Sequence, residues 1–346
     1  PLMEGDTVRG VIVQNKSGRQ AIVANVVIDA TGDGDLAEGA GVPTVKGRER
    51  VGKMRPVTVL FRLGGVDVAR IVEYARAHPD QFTADPNFQV LQPEQGVVRT
   101  SGFFDLVAEG RQRGEIEGDI NYLRFEGIQV ARGIVTVNNS RVYGVDGTDA
   151  WALTRAEIEA RRQNRLLYQF IKKYVPGCEN AYVIDTAANI GVRETRRIRG
   201  EHVLVEPDIV GKRRYPDSIA RIWRFYAEGE SRERHSPDGG EGAAGNLIYR
   251  TQTTYIFPFE IPYGVLVPQK VEQLMVAGHI ISQTHEAEMW SRGQFSCLLL
   301  GQAAGSAAAI STRDGVSPRK VDVAKVQQAL VAQGVDIGEA ATPLAP

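Results

Sequence analysis

Residues 26–41 read VVIDATGDGDLAEGAG, an apolar run that ends in a glycine-rich turn. Within it, residues 32–37 fit the spacing G-x-G-x-x-A, which in dinucleotide-binding proteins lies between a strand and a helix. The run Ala21–Ile28 predicts a strand, and Asp35 followed three residues later by Glu38 has the spacing of a capping box. We therefore expect a strand, a tight turn and a short helix that begins at Asp35 and is capped by it.

The chemistry of this turn leaves three interpretations open. Asp33 and Asp35 place carboxylates where a pyrophosphate needs bare N–H groups and the positive end of a helix. The acidic ribose ligand expected about 20 residues later is replaced by a basic stretch, residues 48–55. The turn is a phosphate cradle, a purely structural turn, or a secondary cofactor contact in which an Asp accepts hydrogen bonds from ligand hydroxyls.

Composition excludes several classes of protein. The 346 residues carry a net charge of −1, so no overall field attracts nucleic acid or an anionic membrane. Two cysteines cannot form a disulfide framework, and the five histidines show no ligand-pair spacing, so we expect no metal site. No apolar run in the sequence reaches the roughly 20 residues that span a bilayer.

Local patterns predict several further elements. Val8–Gln14 and Ala21–Ile28 flank the turn residues 15–18 and predict a hairpin. A capping box at Thr154 predicts a helix that ends near Tyr174, and residues 295–311 predict a buried helix. Residues 240–245 formally fit G-x-G-x-x-G but follow no strand and precede no helix, so a loop is the expected structure.

The last third of the chain resembles a known family. Residues 261–311 contain, in order, I-P-Y-x-x-L-x-P, A-G-x-x-I-S, T-H-x-A, an Arg, a Cys and G-Q-A-A-G. This pattern is similar to the C-terminal flavin-binding part of the FAD-dependent oxidoreductases, within the glutathione-reductase-like flavoproteins. The stretch that ends in Ala30-Thr31-Gly32 resembles the family strand that runs beside the cofactor. The segment IDTAANIGVRETRRIRGEH, residues 184–202, resembles a recurrent family segment.

The resemblance implies an α/β fold. Residues 1–45 and 255–346 would form a partial, three-layer, Rossmann-like FAD-binding domain, and residues 46–254 an inserted α+β substrate domain. The family's first βαβ unit, which carries G-x-G-x-x-G and holds the ADP part of FAD, is not recognisable in this sequence. We therefore expect the chain to begin after that unit.

The implied function is FAD-dependent oxidation or reduction, with a hydride transferred between a small organic substrate and the flavin. The alternative is a catalytically inactive, flavin-free fragment, or a subunit completed by a second chain that supplies the βαβ unit. We expect no nucleic-acid or membrane partner, and a homo-oligomer is a further possibility. No targeting signal is visible, which favours a cytoplasmic protein.

The resemblance also assigns candidate residues. Around the cofactor they are Ala30, Thr31, Gly32, Asp33, Asp35, Gly278, His279, Gly293, Gln294, Phe295 and Ser296. The last four begin a helix whose free N–H groups would stabilise negative charge on a reduced flavin. His285 is the candidate acid/base group. Arg292 would bind a substrate carboxylate or the flavin, or would form an ion pair with Glu286 or Glu288.

Overall fold

The computed structural model describes residues 1–49, 52–84, 89–227 and 254–339. The chain divides into two compact units. The first unit comprises Pro1–Gly52, Glu194–Arg224 and Ile256–Pro346, and the second comprises Lys53–Arg193 and Phe225–Tyr255. The segment 240–245 lies outside the described residues.

The strands are β1 (Leu2–Glu4), β2 (Thr7–Asn15), β3 (Gly18–Val23), β4 (Val27–Asp29), β5 (Thr44–Lys46), β6 (Phe61–Gly64), β7 (Val90–Gln92), β8 (Val97–Gly102), β9 (Leu123–Gln129), β10 (Ile134–Val137), β11 (Tyr182–Thr186), β12 (Arg196–Ile198), β13 (Ser218–Ala227), β14 (Thr254–Pro262) and β15 (Leu274–Val276). The α-helices are α1 (Asp35–Gly39), α2 (Val68–Ala77), α3 (Phe104–Gln112), α4 (Ala150–Tyr174), α5 (Glu206–Val210), α6 (His285–Ser291), α7 (Gln294–Asp314) and α8 (Val323–Ala332).

The first unit is built around a parallel pair of strands, β4 and β15, in the register Val27 to Leu274 and Asp29 to Val276. Helix α7 packs on both strands and on α8. The predicted hairpin is confirmed, since β2 and β3 pair antiparallel around residues 15–18. Because β4 and β15 run in the same direction, the turn after β4 and the loop after β15 leave the sheet at the same edge.

Helix α7 has two different faces. Leu300, Ala303, Ala304 and Ala307 are fully buried, whereas Phe295 and Leu298 on the other face are 84% and 69% exposed. By length and composition alone the helix could also cross a membrane. Its contacts with β4, β15 and α8 are those of a core helix with one uncovered face.

The second unit contains a six-stranded antiparallel sheet in the order β11-β6-β10-β9-β8-β7. Helices α2, α3 and α4 contribute apolar side chains to its core, among them Ile71, Val107 and Phe170. These pack with sheet residues such as Phe61 and Phe125. The mixed α/β class predicted from the sequence is confirmed by these elements.

Two sequence-based boundaries differ from the structure. Helix α4 begins at Ala150, four residues before the predicted start, because the Asp149 side chain accepts the N–H of Trp151 and caps the helix first. Residues 194–224, expected in the inserted domain, belong to the first unit, where β12 pairs with β5. The assignment of one unit to cofactor and the other to substrate stays a prediction.

Candidate functional site

The turn after β4 is held by the buried carboxylate of Asp29. Its Oδ1 accepts the N–H of Thr31 at 3.0 Å and the hydroxyl of Thr31 at 2.8 Å, and its Oδ2 accepts the N–H of Ala37 at 2.8 Å. Asp29 is only 1% exposed. One side chain therefore fixes the turn and also satisfies an N-terminal N–H group of α1.

The prediction that Asp35 caps α1 is wrong, although the helix does begin at Asp35. The cap position is Gly34, in the left-handed conformation with φ 66° and ψ 31°, and no side chain caps it there. Glycine takes this conformation without steric cost. Asp35 is thus the first helical residue, and its carboxylate accepts a hydrogen bond from Arg196 at 2.8 Å instead.

The segment around β12 holds the other side of this turn. The hydroxyl of Thr195 donates to Asp33 Oδ1 at 2.9 Å, and Arg196 Nη1 donates to the carbonyl oxygen of Asp33 at 3.0 Å. Thr195 is fully buried. The basic segment is therefore a structural support of the turn, and its residues Thr195 and Arg196 are not simply a solvated charged surface.

The loop after β15 approaches the turn from the neighbouring strand. Gly278 has a φ of 90°, and a Cβ placed on it would meet no atom within 4 Å. A Cβ placed on Gly32, whose φ is 86°, would lie 3.8 Å from His279 Nε2. The structure therefore brings Gly32 and His279 together, and the two glycines leave room beside the backbone. Ala30 and Thr31 are exposed at the same edge.

His285 lies in a network of charged groups, of which Glu194 and Arg197 are buried and Glu49 reaches the surface. Its Nδ1 is 2.8 Å from Glu194 Oε1, and the same oxygen accepts a hydrogen bond from Arg197 Nη1. Glu49 Oε1 lies 3.2 Å from Arg197 Nη2 and accepts the N–H of His285 at 3.2 Å. His285, Glu194 and Arg197 are each 1% exposed, so the imidazole is held without solvent around it.

Arg292 follows α6 and precedes the N-terminus of α7. Its Nε is 3.8 Å from Oε1 of the buried Glu288. Of the two ion pairs that the sequence offered for Arg292, this is the one with Glu288. The other candidate, Glu286, lies 3.8 Å from Arg48. The Arg292 side chain remains 22% exposed, so one part of it is accessible.

The predicted helix end is confirmed, because α7 begins at Gln294 with Gly293 at its cap position. No side chain caps this end, so its first N–H groups point outward from the helix. Gln294 and Phe295 are exposed and Ser296 is buried. Among the described residues, no hydrogen bond joins Gly293–Ser296 to the Asp33 turn.

Cys297 lies in the first turn of α7, beside Arg292. Burial, with a further contribution from the charge of Glu288, raises the pKa of its thiol. The thiolate is the reactive form of cysteine. A raised pKa therefore disfavours a nucleophilic or redox role for this residue at neutral pH.

Sequence reasoning missed four residues that organise the site: Asp29, Glu49, Glu194 and Arg197. An aspartate at the end of a buried strand was a local signal for the first of them. Nothing in the sequence connects Glu194 to His285, which is 91 residues away.

Comparison with known proteins decides the family. A sequence model of the FAD dependent oxidoreductases matches residues 1–330. The chain belongs to this family. It matches none of the curated proteins and none of the solved structures compared with it. The family's cofactor is FAD, and membership agrees with the mixed α/β architecture and with the resemblance carried by residues 261–311.

The residues of this FAD-dependent oxidoreductase fit part of that cofactor. Gly32 and Gly278 lack the side chains that would fill the space at the edge of β4 and β15. Asp33 keeps a second carboxylate oxygen beside the one bound by Thr195, which suits a ligand hydroxyl. The uncapped N-terminus of α7 suits a group that becomes negatively charged. By their chemistry, these groups fit the hydroxyl-bearing and flavin parts of FAD.

Proposed function

We propose that this chain forms the flavin side of an oxidoreductase that transfers a hydride between FAD and a small organic substrate. The observation that carries the proposal is the open edge after β4 and β15, where Gly32 and Gly278 both have positive φ and leave room for a ligand. FAD supplies the hydride chemistry when it is bound. The residues of the chain supply binding, orientation and proton transfer.

In this proposal the backbone around Ala30–Gly32 and Gly278 binds the cofactor, and Asp33 accepts a hydrogen bond from one of its hydroxyls. The N–H groups at Gln294–Ser296 stabilise negative charge on the flavin. His285 exchanges a proton with the substrate, because an imidazole suits that task near neutral pH. Arg292, which remains partly exposed, binds a substrate carboxylate.

FAD titration of the purified protein tests cofactor binding. Replacing Gly278 by Ala puts a side chain into the open space and strains a φ of 90°, so we expect FAD affinity to fall at least tenfold. Gly18→Ala is the matched control, because Gly18 has a φ of 95° and is equally open but lies in the β2–β3 hairpin. Equal FAD affinity in the two variants would contradict the proposed binding edge.

Turnover by the FAD-loaded protein tests the two candidate catalytic residues. A panel of small hydroxy and amino acids with a dye as electron acceptor provides the assay. We expect His285→Gln to lower kcat by about 10²–10⁴-fold with the FAD content unchanged, the usual contribution of a general acid or base. Arg292→Gln should chiefly raise KM for carboxylate substrates. Unchanged turnover of His285→Gln removes it from the reaction.

A second candidate function is that of a subunit completed by a partner that supplies a βαβ unit. Among the described strands, β4 is hydrogen-bonded only to β15. A parallel sheet is usually extended and covered on both faces. The exposed apolar residues Phe295 and Leu298 of α7 provide a surface on which a further helix would pack.

Mixing experiments distinguish this candidate from an independent enzyme. The subunit interpretation predicts that the chain alone binds no FAD and acquires it when mixed with a chain that carries a G-x-G-x-x-G βαβ unit. Leu298→Glu should abolish that gain. Ile158→Glu, which changes an equally exposed apolar residue of α4, should not. A chain that binds FAD fully by itself excludes the requirement for a partner.

A further inference from the structure

Glu194 links two parts of the site: the turn that contains Asp33 and the charged network around His285. It directly precedes Thr195 and Arg196, which hold the Asp33 turn, and its own carboxylate contacts His285 and Arg197. The contact with His285 spans 91 residues of sequence, and both side chains are almost completely buried. The position of the imidazole relative to the turn is therefore set by one short stretch of chain.

The chemistry of the three groups determines where the His285 proton lies. A guanidinium can only donate hydrogen bonds, so Glu194 Oε1 accepts from Arg197. A proton on that same oxygen would lie against the guanidinium N–H and would be disfavoured. The short contact to His285 must then be a donation from Nδ1–H to the oxygen, since the bond made by one ring nitrogen determines the tautomer.

Arg197 also fixes the loop that ends at His285. Its Nε donates to the carbonyl oxygen of Gln283 at 3.0 Å, and its Nη2 donates to the carbonyl oxygen of Gly47 at 2.6 Å. The Gln283 side chain in turn donates to the carbonyl oxygen of His279 at 2.9 Å. His279, beside Gly32, and His285 are thus held by one connected set of hydrogen bonds.

We propose that Glu194 is a positioning residue for His285: its carboxylate accepts the Nδ1–H hydrogen bond and thereby keeps the imidazole in the Nδ1–H tautomer in which it takes part in the reaction. This inference rests on the proposed function for the identity of the reaction. The tautomer itself is a property of the chain and does not depend on bound FAD. Arg197 supports the arrangement by holding Glu194 and the loop together.

Nitrogen NMR of ¹⁵N-histidine-labelled protein at neutral pH tests the proposal without any substrate or FAD. We expect His285 to show a protonated Nδ1 and an unprotonated Nε2, with the signals assigned by their loss in His285→Gln. An Nε2–H tautomer, or a doubly protonated ring, in the unmodified protein overturns the proposal. This measurement needs no variant of Glu194 that folds.

Variants then separate positioning from general support of the fold. Glu194→Ala should abolish the preference for Nδ1–H, and Thr195→Val, on the adjacent buried residue, should leave it intact. If Thr195→Val disturbs the tautomer as much as Glu194→Ala does, the effect is structural and the proposal fails. In the FAD-loaded protein Glu194→Ala should lower kcat, by up to about 10⁴-fold, with little change in KM or FAD content, as expected when the carboxylate that orients a catalytic histidine is lost.

The two proposals fail in different ways. A protein with the Nδ1–H tautomer that binds no FAD, alone or with a partner, contradicts the proposed function and leaves the role of Glu194 in orienting the imidazole established. A protein that binds FAD and turns over substrate but has the opposite tautomer contradicts only the role of Glu194.

Discussion

The two compact units place their charged side chains differently. In the first unit, Glu194, Arg197 and His285 lie together with almost no exposed surface. In the second unit, the ion pair Arg62–Asp185 leaves nearly half of each side chain exposed. The core of that unit is instead apolar and rich in phenylalanine, such as Phe61, Phe125 and Phe170.

This difference has an energetic cost. Burying a charge costs free energy that a well-packed apolar core does not. The second unit shows that this chain also forms an extended apolar core. Glu194, Arg197 and His285 adjoin the loop after β15, and Glu194 directly precedes the segment that holds the turn after β4.

The strongest test of this comparison removes one buried cation. Arg197→Leu leaves Glu194 without its guanidinium partner and leaves two buried carbonyl oxygens without a donor. We expect the free energy of unfolding, measured by urea denaturation, to fall by about 3–5 kcal/mol. Arg62→Leu, which breaks the exposed pair with Asp185, should have a much smaller effect, because an exposed ion pair contributes little to stability. Similar losses for both variants would contradict the distinction between the units.

A second test compares the same local motif in the two units. Asp29 accepts the N–H and the hydroxyl of Thr31, and Asp146 accepts the N–H and hydroxyl of Thr148 in the same way. Asp29 also accepts the N–H of Ala37 and is fully buried. We expect Asp29→Ala to cost about 1–3 kcal/mol, since the buried N–H of Ala37 loses its partner.

FAD titration completes this comparison. Asp29→Ala should weaken FAD binding because it releases the turn that carries Thr31 and Gly32. Asp146→Ala should leave FAD affinity unchanged, even if it lowers stability by a similar amount. Weakened binding in both variants would mean that stability, not the local shape of the turn, controls cofactor affinity.

A smaller effect is expected at the start of α4. Asp149→Ala removes the acceptor for the N–H of Trp151 and should lower the free energy of unfolding by about 1 kcal/mol. Thr154, the cap predicted from the sequence, lies inside the helix and its hydroxyl donates to the carbonyl oxygen of Ala150. Thr154→Ala should therefore be neutral or slightly stabilising, because Ala favours helix. If Thr154→Ala lowered the free energy of unfolding more than Asp149→Ala did, the result would support Thr154 as the helix cap.

These cases show which features a sequence can reveal. The β2–β3 hairpin and the start of α7 depend on residues close together in the chain, and both were predicted. Thr154 and Asp149 are equally good caps by residue type, and the structure shows that Asp149 is the one that caps the helix. Asp29 accepts the N–H of Ala37 because the turn after β4 folds back tightly enough to bring the two residues together. The local sequence does not reveal that tightness.

The charged network was beyond sequence reasoning for another reason. Glu49, Glu194 and His285 are far apart in the chain, and each is an ordinary polar residue in its local context. Their proximity results from the pairing of β12 with β5 and from the position of the loop after β15. A sequence pattern within one segment gives no information about contacts between residues that are far apart in the chain.

The smallest predicted effect concerns a surface carboxylate of the second unit. Arg113, Lys173 and the hydroxyl of Tyr174 all donate to Glu115, and these hydrogen bonds lower its pKa from 4.5 to about 2. A carboxylate whose pKa is lower in the folded state stabilises the fold above its unfolded pKa, and this contribution is lost as the pH falls from 4.5 towards 2.

NMR titration of the Glu115 carboxyl carbon should find the low value. Lys173→Ala should raise it, and Lys172→Ala should not, because Lys172 donates to the carbonyl oxygen of Ala181 instead. A Glu115 that titrates near 4.5 in the unmodified protein would show that the exposed charges of this unit act nearly independently, in contrast to the connected charges around Glu194.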